Sequence, residues 1–319
     1  MKRMGTIGLL AFVLLFTHFP TLWSREGLQG GALWLEMERG IRAYEEGRLG
    51  EALRIFRTVV EADSSYANAH MWIGHVFALE GEFDSALRKY EDALREGRNF
   101  FPDALRIDTY YSLADIYQRL REPERAKEYL QKVLSEGREE ELPPSRRRAI
   151  TDMFIRQGPD KVLELYRLRD KAVRGAYEGF AFLELNEGNF QSSTEHLVLS
   201  TLISFSLIIE HLRSNDPEYR FVQREMNPGV EEFFTDNTAL LLRKVRKDDK
   251  VRSYIKSAGL YRQLFFIGVG LQQTDRPEAA RKIWRLITDD REAGIWYDAA
   301  LTQLTEPDRP RAMAMLRHW

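Results

Sequence analysis

Two stretches of the sequence superimpose at a spacing of 34 residues. With Gly47 set on Gly81, Gly40 falls on Gly74, Leu49 on Phe83, Ala52 on Ala86, Phe56 on Tyr90 and Val59 on Ala93, without a gap. A fixed period of this length belongs to chains built from small units, none of which buries its apolar face alone. That limits the fold to a stack of similar elements.

The residue types within one period describe a helical hairpin. Met71, Ile73, Val76, Phe77 and Leu79 have helical spacing, and Gly81 follows where a helix ends most easily in a left-handed residue. Phe83, Ala86, Leu87, Tyr90, Ala93 and Leu94 form the apolar stripe of a second helix. Gly74 and Ala86 are small, as expected where two helices cross closely, and Phe77 and Tyr90 supply bulk beside that crossing.

This pattern of small, bulky and turn residues resembles the tetratricopeptide repeat, whose period is 34. Weaker copies follow. One carries Leu113, Ala114, Tyr117, Ala126, Leu130 and Val133, after a six-residue insertion containing Phe100, Phe101 and Pro102. Others carry Tyr177, Phe180, Ala181, Phe190, Ser193 and Leu197; then Leu264, Ile267, Gly268, Leu271, Ala280, Trp284 and Ile287; then Trp296, Ala299, Ala300, Ala312 and Leu316. Pro123 and Pro277 open two second helices in one register, where a missing N–H costs nothing. The resemblance implies an all-α fold, a right-handed superhelical solenoid of antiparallel helical hairpins. Three units are expected over residues 33–137 and a divergent helical region over 138–319. Residues 144–171 and 202–257 fit the pattern poorly. One continuous solenoid is expected, with Leu142-Pro143-Pro144 the place for a break. The uncharged run 197–209 is too short to span a bilayer and reads as a buried helix.

The N-terminus has a separate character. Lys2 and Arg3 precede an apolar stretch, then Pro20 and Ser24, the order of an export signal. Leu22 stands where cleavage prefers a small residue, and residues 4–24 are uncharged and just long enough to cross a bilayer, so an uncleaved membrane anchor is the alternative. Either predicts an exported protein, periplasmic or otherwise extracytoplasmic.

Chemistry is scarce. The absence of cysteine excludes disulfides, thiolate metal sites, a cysteine nucleophile and a lipid anchor on cysteine. His18, His70, His75, His196, His211 and His318 form no HExxH or other ligand spacing. Gly268-Val269-Gly270 lacks a third glycine and a preceding strand. Acidic pairs such as Asp248/Asp249 read as solvated surface, as do Arg146-Arg147-Arg148 and the basic run 243–252. The formal net charge of −2, or −4 without Lys2 and Arg3, argues against nucleic acid as the main partner. No enzyme activity, cofactor or metal is expected.

A stack of hairpins offers an extended concave surface to proteins or peptides. In the family, first helices line that groove. The resemblance implies Trp34, Met37, Ile41 and Tyr44 in the first unit, Asn68, Met71, His75 and Leu79 in the second, and Asp108, Tyr111, Asp115 and Gln118 in the third. One subfamily clamps the C-terminal carboxylate of chaperones with basic and amide side chains. Met37 and Ile41 occupy slots where that clamp needs Lys and Asn, so this function is not expected. The resulting expectation is a non-catalytic scaffold or adaptor of the cell envelope, tethered through residues 4–24 if the signal is not cleaved. The alternative is a periplasmic accessory protein with a small or lipidic ligand in its C-terminal half, enclosed by residues 197–209 and 264–271. Oligomeric state is not legible.

Overall fold

The computed structural model describes residues 28–137, 142–159, 162–163, 171–215, 238, 241–242 and 247–318, with side chains over 33–316. The signal or anchor segment lies outside the described residues, as do Glu139 to Glu141 and most of 216–246. Among the described residues every regular element is a helix. The chain divides into two units, with the boundary between Glu136 and Gly137. One continuous solenoid was expected, with Leu142-Pro143-Pro144 the place for a break, and the division falls a few residues ahead of that place. Pro143 is extended there and Pro144 opens a new helix, as a residue without an N–H can only at a helix start.

The first unit holds three hairpins. Helices α1 (Leu28–Glu45) and α2 (Leu49–Ala62), α3 (Ala67–Glu80) and α4 (Phe83–Arg95), and α5 (Ala104–Arg119) and α6 (Pro123–Glu136) pack pairwise. Gly81 closes α3 at φ 80°, a region that L side chains occupy only under strain. The third hairpin turns through Arg121 at φ 61° instead, directly before Glu122 and Pro123. Asp275 repeats this geometry before Arg276 and Pro277.

In the first two hairpins an aromatic ring of the second helix lies on a glycine of the first, while Ala114 fills that slot in the third. A Cβ added to Gly40 would stand 2.4 Å from the Phe56 ring, and one on Gly74 2.7 Å from Tyr90. In the second unit a Cβ on Gly268 would stand 2.3 Å from Trp284. Each glycine precedes its aromatic by the same interval. The small slot therefore accepts the ring itself, a sharper relation than small residues meeting at the crossing with bulk beside them.

The second unit contains α7 (Pro144–Gln157), α8 (Lys171–Glu187), α9 (Phe190–Asn215), α10 (Asp249–Ser257), α11 (Leu260–Gln273), α12 (Pro277–Thr288), α13 (Ile295–Thr305) and α14 (Arg309–Ala314). Helix α9 is its spine, packing on α7, α8 and α11. It is long and apolar enough to cross a membrane, but 78% of its apolar window is buried within the protein. The run 197–209 is its centre, buried except for half-buried Leu207. A Cβ on Gly270 of α11 would fall on Thr194 of α9, so a second glycine sets that approach as well.

Gly268→Ala is expected to cost about 1–3 kcal/mol, because the Trp284 ring must move in a filled core. Gly50→Ala adds a carbon in open space on α2 and is expected to be neutral or to stabilise by up to about 1 kcal/mol. Urea melts of the two variants check both directions.

Candidate functional site

The first helices of the first unit present a run of aromatic and polar side chains. Tyr44 meets the edge of Trp72 at 5.1 Å between centroids, Trp72 meets His75 at 5.2 Å, and His75 meets Tyr90 at 5.3 Å. His75 Nδ1 and the Tyr90 hydroxyl are 2.7 Å apart. Ser112 and Asp115 of α5 lie near the same hydroxyl, so Tyr90 links the second hairpin to the third. Its burial pushes its pKa well above the ordinary range, while burial lowers that of His75 to about 4. Both groups are neutral at physiological pH.

The eleven positions expected to line a groove, and Asp108, do not share one environment. Trp34 is 44% exposed and Asp115 is exposed. Ile41, Tyr44, Asn68, His75, Leu79, Asp108, Tyr111 and Gln118 are half-buried. Met37 and Met71 are buried and do not form part of any surface. Each lies three residues before the glycine that receives the aromatic ring, and that spacing puts it on the same side of its helix. Met37 accordingly joins the cluster of Ala43, Phe56, Val59 and Ile73.

Two residues gain a role that the pattern did not assign. Trp72 stacks on Phe56 as well as joining Tyr44 to His75. The insertion after α4 turns Phe100 inward at 3% exposure and Phe101 outward at 64%. Asn68 fixes Phe101 from both sides of its amide, donating to the Phe101 carbonyl at 2.5 Å and accepting from the Phe101 N–H at 3.2 Å. Asn99 donates to the Ser65 carbonyl and pins the other end of the loop. The pair of adjacent aromatics in the insertion was the available signal.

Asp108 is the unusual charge here. Burial raises its carboxyl to about 6, and no cation among the described residues lowers it. Its neighbours on α5 are engaged elsewhere: Arg106 with Glu136 at 2.7 Å and Arg119 with Asp115 at 2.8 Å.

The second unit buries its charges in pairs. Glu178 accepts from Arg174 at 3.1 Å and from Arg262 at 2.6 Å, and Arg174 also donates to the Ala258 carbonyl. Gln263 bridges Ser200, Thr201 and the Ala258 carbonyl. His196 is held by Glu184 at 2.8 Å and stacked on Tyr177 and Phe180. No group of three metal-ligating side chains occurs among the described residues. A cavity of about 140 Å³ lies between α11 and α14, lined by Val269, Gln272, Trp284, Gln303, Asp308 and Ala312 among others. That is below the few hundred Å³ typical of an organic ligand site.

The model of the tetratricopeptide repeat family matches residues 65–135, which hold the α3–α4 and α5–α6 hairpins. Residues 65–135 are tetratricopeptide repeats. An uncharacterized protein of Treponema pallidum (strain Nichols) is 24% identical over 163 residues, covering 50% of this chain and 43% of that protein, so the match spans less than half the relative's length. Among solved structures, YrrB, a tetratricopeptide repeat protein with an unusual peptide-binding site, is 15% identical over 86% of this chain and 98% of its own, with a TM-score of 0.44. PilF of Pseudomonas aeruginosa is 15% identical over 86% of this chain and 99% of its own, with a TM-score of 0.40. The repeats account for the hairpins, while Phe101 sits on an insertion outside the 34-residue period.

Two expectations follow. In the unfolded chain Asp108 loses its proton near 3.8, whereas the folded chain holds it to about 6, so this group makes stability fall as pH rises from about 4 to 6. His75 acts oppositely over nearly the same window. Its folded pKa is about 4 against an ordinary 6.5, so its contribution is complete above 6.5 and is lost as pH falls toward 4. Asp108→Asn is expected to stabilise the protein by about 1–3 kcal/mol at pH 7.5, with the gain vanishing below about pH 4, in thermal melts across pH. Glu178→Ala leaves Arg174 and Arg262 without their counter-charge and is expected to cost about 3–5 kcal/mol by urea denaturation.

Proposed function

We propose that this protein is a non-catalytic adaptor of the cell envelope whose first three hairpins bind a segment of another protein. The observation that carries this reading is the display of Phe101. A large apolar side chain at 64% exposure, on a backbone that Asn68 fixes by one donated and one accepted hydrogen bond, contributes little to the core and matches the aromatic anchors of interfaces. Trp34, Tyr44 and Tyr111 extend an aromatic and neutral polar surface along the first helices, a composition suited to protein contacts.

The envelope location rests on residues 1–24, with their basic start and apolar core. Export fits a chain without cysteine that needs no disulfide for its core. A small or lipidic ligand in the second unit gains no support from the 140 Å³ cavity.

A photo-crosslinking residue at position 101 is expected to give discrete protein adducts in cells, and one at exposed Glu124 on α6 to give none. Equal labelling at both positions would overturn the adaptor reading. In spheroplasts, external protease is expected to digest the full-length protein, and complete protection would overturn the location.

A further inference from the structure

The chemistry of the first-helix face narrows what it binds. Asn68 and Asp108 hold the same position in successive hairpins once the insertion is allowed for. Asn68 fixes Phe101, and Asp108 lies one helical turn before Ser112, whose hydroxyl donates to the Asp108 carbonyl at 2.9 Å and reaches the Tyr90 hub. The second and third hairpins thus bring together an exposed aromatic ring held through α3, a half-buried carboxylate on α5, and the neutral His75–Tyr90 pair between α3 and α4.

On this face Asp115 is paired with Arg119, while Asp108 has no cation among the described residues. None of the inner positions of α1, α3 and α5 named above holds lysine or arginine, and His75 is neutral. Several cations of this unit are paired on its other helices and turns: Arg48 with Glu46 and Glu51, Lys89 and Arg95 with Asp92, Arg125 with Glu122, and Lys127 with Glu124. A carboxylate out of water gains most from a cation that brings its own hydrogen-bond donors. A lysine or arginine stem also packs on tyrosine and phenylalanine while its charged end reaches a carboxylate. A lone carboxylate offers too few oxygens to hold a metal ion.

We propose that the first three hairpins take an extended peptide segment that seats a lysine or arginine on Asp108 and an apolar residue against Phe101. This rests on the peptide-binding reading above and specifies its partner as a basic-apolar segment.

The test is selection of random dodecapeptides on the full chain in mild detergent, in parallel with Asp108→Asn and Phe101→Ala. Wild type is expected to enrich peptides with a lysine or arginine close to an apolar residue. For one enriched peptide, Asp108→Asn and replacement of the peptide cation by glutamine are each expected to weaken binding on the order of tenfold, with little further loss when combined. Phe101→Ala is expected to weaken binding while the preference for a cation persists. Circular dichroism melts confirm that Asp108→Asn is folded. Enrichment of peptides without a cation, or equal binding by Asp108→Asn, overturns the basic-segment proposal while leaving peptide binding intact. Enrichment of no peptide at all overturns the peptide-binding reading itself.

Discussion

The contact of an aromatic ring with a glycine backbone sets three of the hairpins, two in the first unit and one in the second. Phe56 on Gly40, Tyr90 on Gly74 and Trp284 on Gly268 bring two helices close enough for the ring to replace the missing side chain. Trp284 also satisfies its own indole N–H with the Phe265 carbonyl, so burial leaves no polar atom stranded. Once this contact fixes the rotation of a first helix, residues three before the glycine point inward with it. Met37 and Met71 are lost to the core for that reason, and the face left for other work is the one that carries Tyr44, Asn68, His75 and Asp108.

Much of this was legible in the sequence, for a physical reason. A 34-residue period records packing that each unit repeats with its neighbour, so Gly40, Gly74 and their aromatics announce themselves through spacing. The left-handed turn at Gly81 was readable because only glycine occupies it without strain. The turns through Arg121 and Asp275 were not, since their strain is met by surrounding structure. Helical periodicity places a residue within a broad arc, and Met37, inside, differs from Ile41, at the edge, by less than that arc resolves.

Interactions over long sequence separations carried no sequence signal. Glu178 and Arg262 stand 84 residues apart, and nothing in either neighbourhood marks them as partners. The hold of Asn68 on Phe101 spans 33 residues, nearly one repeat, but belongs to the insertion and so falls outside the pattern. Register placed Asp108 among the first-helix positions, while its burial and its lack of a cation carried no signal in the sequence.

That lack is informative because the chain pairs its buried acids elsewhere. Glu178 has two arginines, Glu195 has Gln191 and Arg148, and Asp290 has the Tyr261 hydroxyl and the Glu292 N–H. Each is more deeply buried than Asp108, and each is satisfied. Asn at position 108 would fit the same space without a charge to desolvate, and Arg106 and Arg119 are near in sequence but turned to other carboxylates. Folding alone gives no reason for an unpaired carboxylate there. A cation arriving from outside does, because the free energy withheld in the isolated fold is recovered on binding, where it raises affinity for a basic segment over a neutral one.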